Sequence, residues 1–138
     1  MRTIYYTLQR LRDQEKKERQ RHFAEAEALR RSRENELLKL KEELNQERSM
    51  TPKTAGEVTL HDRLLVNRFF EVVRSEDNLK EQEEKVEICQ EELLYAQQQS
   101  KIMEEVISSL ESKEALEHKR NMDKLSDEMG TMAWWRRR

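Results

Sequence analysis

Ser49-Met50-Thr51-Pro52-Lys53-Thr54-Ala55-Gly56-Glu57-Val58-Thr59 holds the only proline of the chain and one of its two glycines. On either side run long charged segments with almost no turn residues. A proline pushes the residue before it out of the α region, so Met50-Thr51-Pro52 ends one helix. Thr59 is the expected N-cap of the next, with Asp62 three residues on in a capping-box-like place. The segment between is too short for a second domain. The chain therefore reads as all-α: two long helices folded into one antiparallel coiled-coil hairpin spanning 1–138. The expected bounds are a helix over about 3–48, a turn over 49–59 and a longer helix over about 60–133.

Composition agrees. Charged residues make up 41% of the chain and hydrophobic residues 35%, too little apolar surface for a layered core. Good helix formers dominate, and the apolar residues recur at helical spacing, which favours helix over disorder. The formal net charge of -2 is not the balance of a nucleic-acid-binding chain. Residues 1–48 carry 13 Lys/Arg against 10 Asp/Glu, and residues 60–138 carry 13 against 18. Arms of opposite sign attract when antiparallel, although each exposed pair contributes only tenths of a kcal/mol. No apolar run approaches the ~20 residues of a membrane span. The opening residues lack the apolar core of a signal peptide. With the single Cys89 these features suit the cytoplasm.

In the first arm, a candidate seam runs Ile4, Leu8, Leu11, Glu15, Glu18, His22, Ala26, Leu29, Arg33, Leu37, Leu40, Leu44. Its mean spacing, about 3.6, is that of a straight helix and predicts a loosely wound pair. The second arm opens on its densest apolar cluster, Leu64 to Val73. Phe69 and Phe70 there either cap the coiled-coil core or form an exposed patch that docks a partner. The seam continues through Leu79, Val86, Leu93, Ala96, Met103, Ile107 and Leu110. Folding about residues 54–55 sets Leu44 near Leu65 and Leu8 near Lys101. The second arm then outruns the first by roughly 30 residues. That excess carries Met122, Leu125, Met129 and Met132 and ends in Trp134-Trp135-Arg136-Arg137-Arg138. The stripe needs either a second copy or another protein, and methionine suits an adaptable contact. The tail is either frayed or drawn to a headgroup interface.

No catalytic constellation stands out. His22, His61 and His118 are far apart and none has a partner at metal-ligand spacing. Phosphate-binding loops need glycines the chain lacks. Neither enzyme activity, metal nor cofactor is expected, and Cys89 reads as a small residue flanking the seam.

The pattern Ile4-x-x-x-Leu8-x-x-Leu11-Arg12, followed by a charged run and Ala24-Glu25-Ala26, resembles the start of the FliJ/YscO family. These are the stalk proteins of flagellar and injectisome type III secretion. Cys89-Gln90-x-x-Leu93-x-x-Ala96 and the ending Leu125-Ser126-Asp127-Glu128-Met129-Gly130 are similar to its second arm, with the injectisome branch slightly closer. The tail Trp134-Trp135 with its arginines departs from the family's usual polar ending. The resemblance implies a cytoplasmic protein peripherally associated with the inner-membrane export apparatus. Its termini end would enter the hexameric secretion ATPase and promote assembly and activity. Its hairpin tip would face the export gate protein, with secretion chaperones as further partners, no nucleic acid and no direct membrane insertion. The implied ATPase-binding residues are Ile4, Leu8, Leu11, Met122, Leu125, Met129, Arg136, Arg137 and Arg138. The implied gate-facing residues are Leu65, Phe69, Phe70 and Val73. The competing expectations are a homodimeric coiled-coil scaffold and a prefoldin-like chaperone. The second would need β-strands that the 49–59 break cannot supply.

Overall fold

The computed structural model describes residues 2–137. Two helices account for nearly all of them: α1, Arg2–Ser49, and the longer α2, Ala55–Arg137. The fold is an all-α helical hairpin. The break is shorter than expected, because α2 begins at Ala55 and not near residue 60. Its N-cap is Thr54, not Thr59. Thr54 Oγ1 accepts the Glu57 amide at 3.2 Å, and Glu57 Oε2 accepts the Lys53 amide at 2.9 Å. This satisfies two amide donors and places a carboxylate at the positive end of the helix dipole. The Thr59 hydroxyl instead donates to the Ala55 carbonyl from inside the first turns. At the other side of the break, the Met50 amide reaches the Glu47 carbonyl at 3.2 Å and closes α1. Gly56 sits within α2 without a positive φ, so the turn does not depend on it.

Contacts divide the described chain into two units. One is built from residues 16–96, the other from residues up to Glu15 together with those from Gln97 onward. In the first unit the core is Leu37, Leu44 and Val72, with Leu40, Leu65 and Leu79 packed against it. The pairs Arg19–Glu92 at 2.9 Å, Lys41–Glu76 at 3.5 Å and Glu47–Arg68 at 3.3 Å run in opposite senses along the two helices, as in an antiparallel pair. Arg68 also reaches Glu43 and Glu71, and the bond to Glu71, then the charge of Glu47, raises the pKa of its guanidinium above its ordinary value. The Gln82 amide, buried in the seam, donates to the Ala26 carbonyl at 3.0 Å.

The observed seam corrects the expected one. One regular line of covered positions along α1 is Tyr5, Gln9, Arg12, Lys16, Arg19, Phe23, Ala26, Arg30, Arg33, Leu37, Leu40, Leu44 and Glu47, with Asp13, Glu15, His22, Glu27 and Glu43 half-buried beside it. The spacing of the line alternates 4 and 3 without a slip, the period of a left-handed coiled coil and not that of a straight helix. The expected line coincides with it at Ala26, Arg33, Leu37, Leu40 and Leu44. At Leu29 and from His22 back to Ile4 it runs one residue early, so Leu29, Ile4, Leu8 and Leu11 are exposed instead of buried. Leu37, Leu40 and Leu44 set the phase, and a strict repeat carried back from them lands on Arg12, Gln9 and Tyr5. On α2 the covered line is equally regular, from His61 and Leu65 through Cys89, Leu93 and Ala96 to Ser100, Met103, Ile107 and Leu110. Of the expected α2 seam, Leu79 to Leu110 fall on it, Cys89 lies on it and not beside it, and the expected continuation through Met122, Leu125, Met129 and Met132 does not.

Small residues explain why polar side chains occupy so much of the α1 seam. Ala96 is 3% exposed and Ser100 2%. In the unit containing both termini, the Ser100 hydroxyl donates to Asp13 Oδ1 at 2.6 Å. A long side chain covers a small neighbour with its aliphatic stem while its polar head stays wet, so Arg or Gln serves at such a layer as well as Leu.

Candidate interaction surfaces

Three groups of exposed apolar side chains stand out, with Leu29, Leu38, Ile88, Leu94 and Tyr95 exposed singly outside them. The first lies in the unit of residues 16–96, just past the break. Phe69 and Phe70 are 50% and 61% exposed and meet edge to face, with centroids 6.1 Å apart. With Leu44, Arg48, Leu65 and Val66 they line a shallow cleft. Val58, Leu60 and Leu64 add exposed apolar surface nearby along α2. The four residues expected at the tip thus divide. Phe69 and Phe70 face out, Leu65 packs on the Leu37–Leu44–Val72 core, and Val73 is half-buried.

The second lies in the unit that holds both termini. Its paired part ends where Arg2 meets Glu114 at 3.1 Å and the Tyr6 hydroxyl donates to Glu111. The Arg2 guanidinium also lies over the Tyr6 ring, 5.8 Å from its centre. Its pKa is raised, first by the bond to Tyr6 and then by the charge of Glu114. Beside these pairs Ile4 is 62% exposed, with Leu8 and Leu11 also open to solvent. On α2 of the same unit Ile102 and Val106 are exposed too. Each of the five lies one residue before a covered seam position, so each flanks the seam. Ile102 and Val106 were not foreseen. Only the correct seam phase singles them out, and hydropathy alone does not.

The third is the stretch of α2 beyond Glu114, where every described residue is exposed. Met122, Leu125, Met129 and Met132 lie there at 3, 4 and 3 residues, each at least half exposed. Ala115 and His118 extend the same repeat toward the paired region. This line is displaced by one residue from the seam. The seam phase carried past Leu110 falls on Glu114, Glu117, Asn121, Lys124, Glu128 and Thr131. One residue turns an α-helix by about 100°, so the stripe faces a different direction from the seam. Trp134 and Trp135 stack edge to face at the end of α2, 5.6 Å apart, with Arg136 and Arg137 exposed after them. Arg138 lies outside the described residues.

Among the described residues no group of three His, Cys, Asp or Glu side chains could hold a metal ion, and no helix is long and apolar enough to cross a membrane. No family model, curated protein or solved structure matches the chain. What these surfaces do must be argued from their chemistry.

Proposed function

We propose that the chain is a helical accessory protein of a hexameric secretion ATPase, of the stalk type that its sequence resembles. The observation that carries the reading is the placement of exposed apolar side chains. Ile4, Leu8 and Leu11 with Met122, Leu125 and Met129 belong to the unit that bears both termini. These side chains give the ATPase its contact, supported by Arg136 and Arg137. The Phe69–Phe70 surface beyond the break gives the export gate its contact, and secretion chaperones are further partners of the same apparatus. A narrow, mixed-charge helical surface makes small contacts with each subunit of a ring, which suits an accessory that must not lock its enzyme in one state. In the cell this reading places the protein at the cytoplasmic face of the export apparatus, with no catalytic residue of its own.

The test is to add the chain to a type III secretion ATPase of the same organism and follow hydrolysis and hexamer formation. Both are expected to rise. Removal of residues 120–138 is expected to abolish the rise while circular dichroism shows helix retained over the paired regions. If the intact chain neither binds the ATPase nor changes its assembly, the reading is wrong.

A further inference from the structure

The stripe beyond Glu114 has a repeat that is complementary to itself when reversed. Ala115, His118, Met122, Leu125, Met129 and Met132 alternate by 3 and 4, which is the a and d pattern of a coiled coil. In an antiparallel pair each a position packs against a d position. Laid against a second copy in the reverse sense, Met122 meets Leu125, His118 meets Met129, and Ala115, the smallest, meets Met132. The two-fold symmetry repeats each layer, giving six in succession. We propose that this face of α2 binds the same face of a second copy, antiparallel and in this register.

Charge favours the second copy and sets the direction. The layer after Ala115–Met132 places Arg136 of one copy against Glu111 of the other, once at each end of the contact. Arg137 arrives beside the same acidic stretch, which also includes Glu114. Glu111 is fixed there by the Tyr6 hydroxyl, so the carboxylate is already held in place. A parallel pairing would instead bring Arg136 and Arg137 against their own copies. Like charges brought together in that way oppose association. The flanks are compatible with the reverse sense, since Asn121 lies beside Glu128 and Lys119 beside Ser126 across the contact, with no like-charge pair. α1 is not an alternative occupant, because the seam phase it would meet past Glu114 is polar. The contact runs over about 25 residues of helix, or ~37 Å. The proposal does not rest on the ATPase reading; because Met122, Leu125 and Met129 serve both contacts, the pair is the state of the free chain and must open before the ATPase binds.

Sedimentation of the intact chain at tens of micromolar, followed by dilution, tests it first. A reversible dimer is expected, and Leu125→Glu is expected to weaken it by at least about tenfold, or 1.4 kcal/mol. Because Leu125 has an exposed side chain, helicity measured in parallel should not fall. Arg136→Glu should weaken the dimer, and adding Glu111→Arg to that variant should restore it. For direction, Cys89→Ala chains carrying Asn121→Cys are mixed with chains carrying Glu128→Cys and oxidised. The expected product joins position 121 to position 128. A chain that stays monomeric throughout overturns the proposal, as does a dimer insensitive to Leu125→Glu. Oxidation that joins 121 to 121 overturns the antiparallel register.

Discussion

Two stretches of α2 carry the same repeat and meet opposite fates. From His61 to Leu110 the 3-and-4 line is covered by α1, and from Ala115 to Met132 it lies open. The residue types differ less than the outcome. The covered line includes Arg68, Ser75, Gln82 and Ser100, and the open one includes Met122, Leu125, Met129 and Met132. The described part of α1 reaches no further than Glu114, and beyond it the line is also displaced by one residue. A repeat shows that a helix has a helical partner. Its phase shows whether two stretches share the same one.

Substitutions of matched chemistry in the two stretches break or sharpen this contrast. The largest effect is expected from Val72→Asp, which buries an unpaired carboxylate in the Leu37–Leu44 core. A loss of about 3 kcal/mol or more in urea unfolding is expected, and a loss below about 1 would mean the core is not packed as described. Ser100→Ala removes the donor to Asp13 from the most buried side chain and should cost about 1 kcal/mol. Asp13→Asn, which keeps an acceptor oxygen, should cost less. Gly130→Ala works in the other direction. An added Cβ there meets no atom within 4 Å, so the change should stabilise the open stretch by up to about 1 kcal/mol, seen as slower amide exchange over residues 126–134. The smallest effect belongs to Met129→Asp in dilute solution, where global unfolding should move by no more than about 0.5 kcal/mol. A large loss there would place Met129 within the intrachain core after all.

The Glu27–Arg30 pair adds a weak pH dependence within α1. The Arg30 guanidinium bonds the Glu27 carboxylate at 2.7 Å and holds its pKa below the ordinary value. A depressed carboxylate contributes stability that is full above its unfolded pKa. That contribution fades as pH falls through the lower folded value, so acid titration should loosen this turn only below the usual carboxylate range.

Much of this architecture is legible in the residues. Pro52 and the absence of other breakers define a hairpin, and Leu37, Leu40 and Leu44 against Leu65, Val72 and Leu79 define its core. The line from Leu79 to Leu110 was readable because its apolar members recur without a slip. The first part of α1 was not. There the covered positions are Gln9, Arg12, Lys16 and Arg19, whose stems bury while their heads remain in water, and a hydropathy pattern follows Ile4, Leu8 and Leu11 instead. Thr54-x-x-Glu57 carried the true capping signal, but Thr59 with Asp62 offered a competing one five residues later. At the tip, Phe69 and Phe70 read either as a cap on the core or as an exposed patch, and their side chains are exposed. Leu65, grouped with them by proximity in sequence, was claimed by the core because it occupies a seam position.

The displacement of one residue also limits how such a chain can be lengthened. A version of α1 grown backward by three heptads, whatever its composition, would run along Glu114, Glu117, Asn121, Lys124 and Glu128. It would leave Met122, Leu125, Met129 and Met132 to the side, uncovered. Growth of the first helix therefore cannot retire the open stripe. Only insertion or deletion near residues 111–114 could turn it onto the seam, so a single codon there would decide whether this surface faces outward or closes into the hairpin.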